Sequence, residues 1–197
     1  LGSTGANELK QAGTEQERLL VNVVEEMTIA AGLPRPSIWI VPDGDPNAFA
    51  TGRDEKTAAI AVTQGLLDTC SRDELQGVIG HELAHIKNYD ARLMTLLAAM
   101  VGAITVVSDY MHRILFQRGS ARALSAIVPR KKKGGPLLIL LLVLWLLTWL
   151  LAPMISRMLA LGVSRKREFL ADAMSAQFTR NPMALATALE KIERSHG

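Results

Sequence analysis

Residues 81–85 read His-Glu-Leu-Ala-His, and this pattern has a chemical use only if the segment is an α-helix. Helical geometry puts His81 and His85 one turn apart on the same face. The flanks ask for that helix. Ser71 followed three residues later by Glu74 fits a capping box. Leu75, Val78, Ile79 and Leu83 then give an apolar stripe at helical spacing, and no proline interrupts residues 71–95. On such a helix two ring nitrogens converge on one Zn2+, with the Glu82 carboxylate beside the metal as general base. The competing reading is a structural histidine pair, buried or solvated. Of the four histidines only these two are paired, His112 and His196 being isolated.

A catalytic zinc site takes three protein ligands and keeps one position open for water. Glu168 is the leading candidate for the third ligand. Asp172 follows it by four residues, on the same helical face, so that one carboxylate can take the metal while the other hydrogen-bonds a ligating imidazole. Asp90, nine positions beyond His81 on the same helix, is the weaker alternative. Arg165 and Lys166 offer Glu168 a competing role as a surface ion pair.

The rest of the chain changes solvent. Its 197 residues suit one domain of ordinary size, but a hydrophobic content of 49% is high for a soluble protein, and the excess is concentrated in two stretches. Leu93 to Val107 carries no charge; as a helix it would rise about 22 Å, short of the ~30 Å hydrocarbon core. Leu137 to Ile155 carries none either, and at about 28 Å it is a credible span. A buried hairpin in a soluble core is the alternative, but little other apolar surface remains to cover it. Between Gln117 and Pro136 lie Arg118, Arg122, Arg130, Lys131, Lys132 and Lys133 and no acidic residue. A basic run beside an apolar segment suits lipid headgroups or a plain solvated loop; no nucleic-acid motif accompanies it. The expected organisation is a discontinuous domain, 1–92 and 156–197, interrupted by a membrane hairpin, 93–155, with a basic loop at 117–136. Cys70 is the lone cysteine, which excludes an intrachain disulfide and leaves it a packing role.

Coarse periodicity completes the outline. Glu15 to Ala31 reads as a helix stopped by Gly32 and Pro34. Ser37–Val41, Asn47–Thr51 and Lys56–Thr63 read as strands, with the turn cluster Pro42-Asp43-Gly44-Asp45-Pro46 between the first two. Gln64 to Thr69 is a short helix, and Asn181-Pro182 opens a closing helix that runs to Glu193. Residues 1–14 read as irregular.

Three motifs in order, Pro46-Asn47-Ala48-Phe49-Ala50-Thr51-Gly52, His-Glu-Leu-Ala-His, and Ser164-Arg165-Lys166-Arg167-Glu168-Phe169-Leu170-Ala171-Asp172, resemble the HtpX membrane zinc metalloproteases, relatives of the CAAX prenyl endopeptidases. The similarity runs from about Asn22 to Glu193. It implies an α+β fold: a mainly helical gluzincin-type metalloprotease domain with a small β-sheet beside two active-site helices. It implies one Zn2+ per chain on His81, His85 and Glu168, Glu82 as base, and Asp172 behind a ligand. Asn47, Ala48, Phe49 and Ala50 would lie near the cleft, where an edge strand can hold an extended substrate by main-chain pairing. The implied substrates are damaged or misassembled membrane proteins, handled under heat stress at the bacterial inner membrane by a multi-pass enzyme with a cytoplasmic active site. Such proteins usually carry two membrane helices ahead of the region seen here, so a chain beginning at Leu1 is expected to be truncated or an unusually short member.

Charge alone opposes that topology. If both apolar segments span, the basic loop lies opposite the site, and the positive-inside rule would place the loop in the cytoplasm. Arg157, Arg165, Lys166 and Arg167 on the catalytic side partly balance it. Two other functions stay open: a prenyl-protein endopeptidase, and a non-catalytic membrane scaffold with a vestigial zinc site, against which the intact Glu82 speaks. For an oxyanion donor the sequence offers only Arg165 and His112 as guesses. Cleavage preference and oligomeric state are not legible.

Overall fold

A computed structural model of the chain describes residues 5–52, 54–112, 162 and 165–195. The chain divides into two compact units, Leu1–Met94 with Arg165–Gly197, and Thr95–Ser164. The basic loop 117–136, the apolar segment 137–155 and the His112 side chain lie outside what is described. Among the described residues no helix is long and apolar enough to cross a membrane.

The first unit begins with β1 (Asn7–Glu8), a two-residue strand too short to carry a period-2 signal. Helix α1 (Glu15–Ala31) follows, with a Thr14/Glu17 capping box at its start. It closes on Gly32 in the left-handed conformation at φ 69°, where a side chain would be strained. Its buried stripe is Leu20, Val23, Val24, Met27 and Ala31. Strands β2 (Ser37–Val41), β3 (Ala48–Thr51) and β4 (Ala59–Thr63) complete a mixed sheet in the order β1-β2-β4-β3. β4 is buried along its whole length because it is flanked on both sides, in parallel by β2 and antiparallel by β3. The strand expected over Lys56–Thr63 starts only at Ala59, because Asp54 instead accepts hydrogen bonds from the Lys56 and Thr57 amides in a turn.

Helix α2 (Gln64–Thr69) leads into α3 (Arg72–Lys87), the spine of the unit. Leu75, Ile79 and Leu83 are almost fully buried and share one core with the α1 stripe, Ile60, Val62 and Leu66. Two further helices lie against α3: α5 (165–179) and α6 (Pro182–Ser195). Both come close because α3 carries glycine where they meet it. A Cβ on Gly77 would stand 2.6 Å from the Leu185 amide nitrogen, and one on Gly80 would stand 3.1 Å from Ser175 Oγ. Ser175 is fully buried, and its hydroxyl donates to the Gly77 carbonyl at 2.6 Å, which pins α5 to α3.

α3 does not continue into the apolar segment. It ends at Asn88, and Tyr89 takes a left-handed φ of 53° before α4 (Asp90–His112) begins. The uninterrupted helix expected over 71–95 is therefore bent at residues 88–89.

Candidate metal centre

The pentapeptide sits in the second half of α3, whose start is held by the capping box the sequence suggested. Glu74 N–H donates to Ser71 Oγ at 3.4 Å, and the Glu74 carboxylate accepts from Ser71 N–H at 2.8 Å. With the apolar face anchored in the core, His81 and His85 share the opposite face. Their Nε2 atoms lie 3.0 Å apart.

α5 supplies the third group. Glu168 Oε2 lies 3.5 Å from His81 Nε2 and 3.9 Å from His85 Nε2. Ligand atoms from these three residues lie within 4.8 Å of one another. A tetrahedral ion with bonds of ~2.0–2.2 Å needs neighbouring ligand atoms about 3.3 Å apart, so small side-chain adjustments would close the set.

The surroundings of the imidazoles say what belongs there. His81 Nδ1 faces Asp172 Oδ1 at 2.9 Å, close enough for an ion pair though out of line for a full hydrogen bond. His85 Nδ1 faces Asp90 Oδ2 at 2.6 Å. With a proton on each Nδ1, facing its carboxylate, both Nε2 atoms are lone pairs pointing at each other and at a carboxylate. Three acceptors without a donor among them repel unless a cation lies between them. Burial pushes the His81 pKa below its ordinary value and His85 adds to that, with Asp172 and Glu168 offsetting only part. Neutral imidazole is the form that binds a metal. The residues present therefore fit a metal ion of the His-His-carboxylate class.

Asp90 is not placed as a ligand. On a continuous helix it would be turned well away from His85; the bend at residues 88–89 brings its carboxylate to the Nδ1 side instead. Its second oxygen pairs with Arg167, which the sequence offered only as one of the charges flanking the second apolar segment. The left-handed Tyr89 redirects Asp90, and the one local signal of the break is Asn88, a residue type that helices accept at their C-terminal end.

Glu82, next to His81 on α3, reaches the sheet with one carboxylate oxygen while still feeling the charges of His85 and Glu168. Its carboxylate is pushed up to about 7 by burial, which outweighs the lowering effects of His85 and of the Ala50 amide. The Ala50 N–H donates to Glu82 Oε2 at 2.8 Å. This contact follows from register. Thr63 N–H donates to the Asn47 carbonyl at 3.0 Å, so alternation along the antiparallel pair turns the main-chain groups of Ala48 and Ala50 outward, on the free edge of the sheet. Asn47 faces inward, its N–H also taken by Thr63 Oγ1 at 2.8 Å. Phe49 is partly exposed and Arg165 is exposed.

Comparison with known proteins gives the family of the chain. A family model described as Peptidase family M48 matches residues 14–194. The chain belongs to peptidase family M48. Among curated M48 relatives it is similar to "Protease HtpX homolog" of Dictyoglomus turgidum, 42% identical over 187 residues, covering 95% of this chain and 58% of the relative. The homologue of Dictyoglomus thermophilum is 44% identical over 187 residues with the same coverage, and that of Streptococcus uberis 39% over 191 residues, covering 97% of this chain and 63% of the relative. The chain thus spans about three-fifths of the length of these M48 relatives. Among solved structures it is similar to the crystal structure of S. mikatae Ste24p, at TM-score 0.57 and 19% identity, over 96% of this chain and 44% of that one. That likeness shows a shared fold, mostly helical with a small mixed sheet.

Proposed function

We propose that this chain carries the active site of a zinc-dependent membrane endopeptidase that hydrolyses peptide bonds of misfolded or damaged membrane proteins in protein quality control under stress. The observation that carries the proposal is the convergence of His81, His85 and Glu168 ligand atoms within 4.8 Å, with the half-buried Glu82 carboxylate on the same turn of α3. His81, His85 and Glu168 would hold one Zn2+ per chain, and Asp172 would orient His81. The metal, when bound, supplies Lewis acidity that polarises the scissile carbonyl and makes water acidic enough to react near neutral pH.

The remaining work falls to the chain. Glu82, with a pKa near 7, suits both halves of a proton shuttle: its Oε atom takes a proton from the attacking water and returns it to the leaving amine. The Ala50 N–H on Oε2 holds that carboxylate in place. The outward main-chain groups of Ala48 and Ala50 lie beside Glu82, so an extended substrate pairing along β3 would bring its backbone past the base. Of the segment Asn47–Ala50, Ala48 would pair with substrate through its main-chain groups and Ala50 through its carbonyl, its N–H being taken by Glu82, while Phe49 would offer a side-chain contact and Asn47 would anchor the strand through Thr63.

The remaining assignments follow the same reading. Residues 1–92 and 156–197 form the protease domain and 93–155 a membrane hairpin, with the site on the cytoplasmic face of a bacterial inner membrane. The test is cleavage of unfolded casein by the chain in detergent micelles. Cleavage should be abolished by a chelator and restored by stoichiometric zinc. Cleavage that persists at full rate in chelator would overturn the proposal.

A further inference from the structure

His81 and His85 are braced differently. The partner of His81 is Asp172, on the helix that also carries Glu168. The partner of His85 is Asp90, and behind Asp90 stands Arg167. Both of these outer side chains are nearly enclosed, Arg167 at 13% and Asp90 at 11% exposure. The pair is therefore not one of the solvated surface bridges that contribute almost nothing. Burying two charges has a real cost, and removing one partner alone strands the other.

Each carboxylate oxygen of Asp90 faces a different partner. Asp90 Oδ2 faces His85 Nδ1 and Asp90 Oδ1 faces Arg167 Nη2, so the carboxylate has a partner at each oxygen. The second of these is a pairing of charges rather than an aligned hydrogen bond. Arg167 Nη2 also donates to the Asn88 carbonyl at 3.3 Å, at the corner where α3 ends. Arg167 immediately precedes Glu168. One side chain thus ties the helix of the third ligand to the bend that aims Asp90 at the second ligand.

We propose that Arg167 and Asp90 are a positioning pair that fixes His85 with its Nδ1 protonated and its Nε2 lone pair turned toward Glu168. An imidazole has two neutral tautomers and a rotatable ring. With Asp90 locked at Nδ1, only one tautomer and one ring orientation present Nε2 to the ion. Arg167 supplies the lock, and its charge cancels that of Asp90, so the brace adds no net charge behind the ligand. The inference rests on the metal-site reading above, and its test separates the two.

The experiment measures zinc affinity by chelator competition on the whole chain in detergent micelles, together with the melting temperature of the metal-free form and the visible absorption spectrum of the Co2+-loaded form. Asp90→Ala should weaken zinc binding by about ten- to a hundredfold. Because that variant strands Arg167, the double variant Asp90→Ala/Arg167→Met is measured beside it. It removes both buried charges, so the fold has no unpaired group to accommodate, and it should show the same loss of affinity and an altered Co2+ spectrum. Arg167→Lys keeps the charge but loses the fork, and should weaken zinc by up to about tenfold. Lys166→Ala, exposed on the same helix, should leave affinity unchanged. If the wild-type chain binds no zinc, the metal-site reading falls and this inference falls with it. If the wild type binds zinc and the variants bind it as tightly, with only the metal-free melting temperature lowered, the pair merely pins a corner and this inference alone is overturned.

Discussion

Gly77→Ala tests how tightly α6 is seated on the helix that carries the candidate metal site. An added Cβ would meet Leu185 N at 2.6 Å, Leu185 Cα at 2.9 Å and the Ala184 carbonyl carbon at 3.0 Å. All three are backbone atoms, so no rotamer change relieves the contact and α6 must shift away from α3. Overpacking of this kind costs ~1–3 kcal/mol, and contact with backbone puts it at the upper end. Alanine returns ~1 kcal/mol through its better helix propensity. The net loss is about 2 kcal/mol, or roughly 5–10 °C in melting temperature for a unit of this size. Scanning calorimetry on wild type and variant in the same detergent reads it. Gly13→Ala is the control, since its Cβ would meet nothing nearer than Glu17 Oε2 at 3.5 Å, and it should change stability by less than about 0.5 kcal/mol. A Gly77→Ala chain that melts at or above the wild-type temperature would refute the close approach of α6.

Two further outcomes follow. Asp172→Ala removes the carboxylate behind His81 and should lower zinc affinity by about ten- to a hundredfold, read by chelator competition; undiminished affinity would take Asp172 out of the site. The ion pair between Glu74 and Lys191 Nζ, at 2.6 Å, links α3 to α6. Burial raises the Glu74 pKa, but the bonds from Lys191 and from the Ser71 amide and hydroxyl outweigh it and leave it below the ordinary 4.5. A depressed carboxylate stabilises the fold above pH ~4.5 and loses that contribution as pH falls through its folded pKa. Denaturant midpoints should therefore drop as pH falls below 4.5, and less steeply in Lys191→Met; equal slopes would show that the pair is not coupled to folding.

Local signals were legible where one helical turn decides them. The Ser71/Glu74 box, the two histidines and the Glu168/Asp172 spacing each fit within a turn or two, and each lies on the helix its pattern asks for. Contacts that depend on how distant elements meet were not legible. The Ala50 amide reaches Glu82 only because β3 has one particular register on β4. Gly77 and Gly80 look like ordinary weaknesses in a helix until α6 and α5 are seen against them. The bend at residues 88–89 carries neither Gly nor Pro, so Asp90 read as part of one long helix and as a weaker ligand candidate. Arg167 read only as one charge in the membrane-topology balance, and its pairing with Asp90 shows only in the fold. The strand Asn7–Glu8 is too short for any periodicity to show.

The central claim is that His81, His85 and Glu168 hold a zinc ion for which Glu82 serves as base, and one paired measurement on Glu82→Gln and Glu168→Ala tests it most directly. Bound zinc and casein cleavage are determined on the same samples. Glu82→Gln should keep one zinc per chain and lose about 10²–10⁴-fold in cleavage rate, the range a general acid–base residue contributes. Glu168→Ala should lose zinc and cleavage together. Undiminished cleavage in Glu82→Gln, or undiminished zinc in Glu168→Ala, would contradict the account.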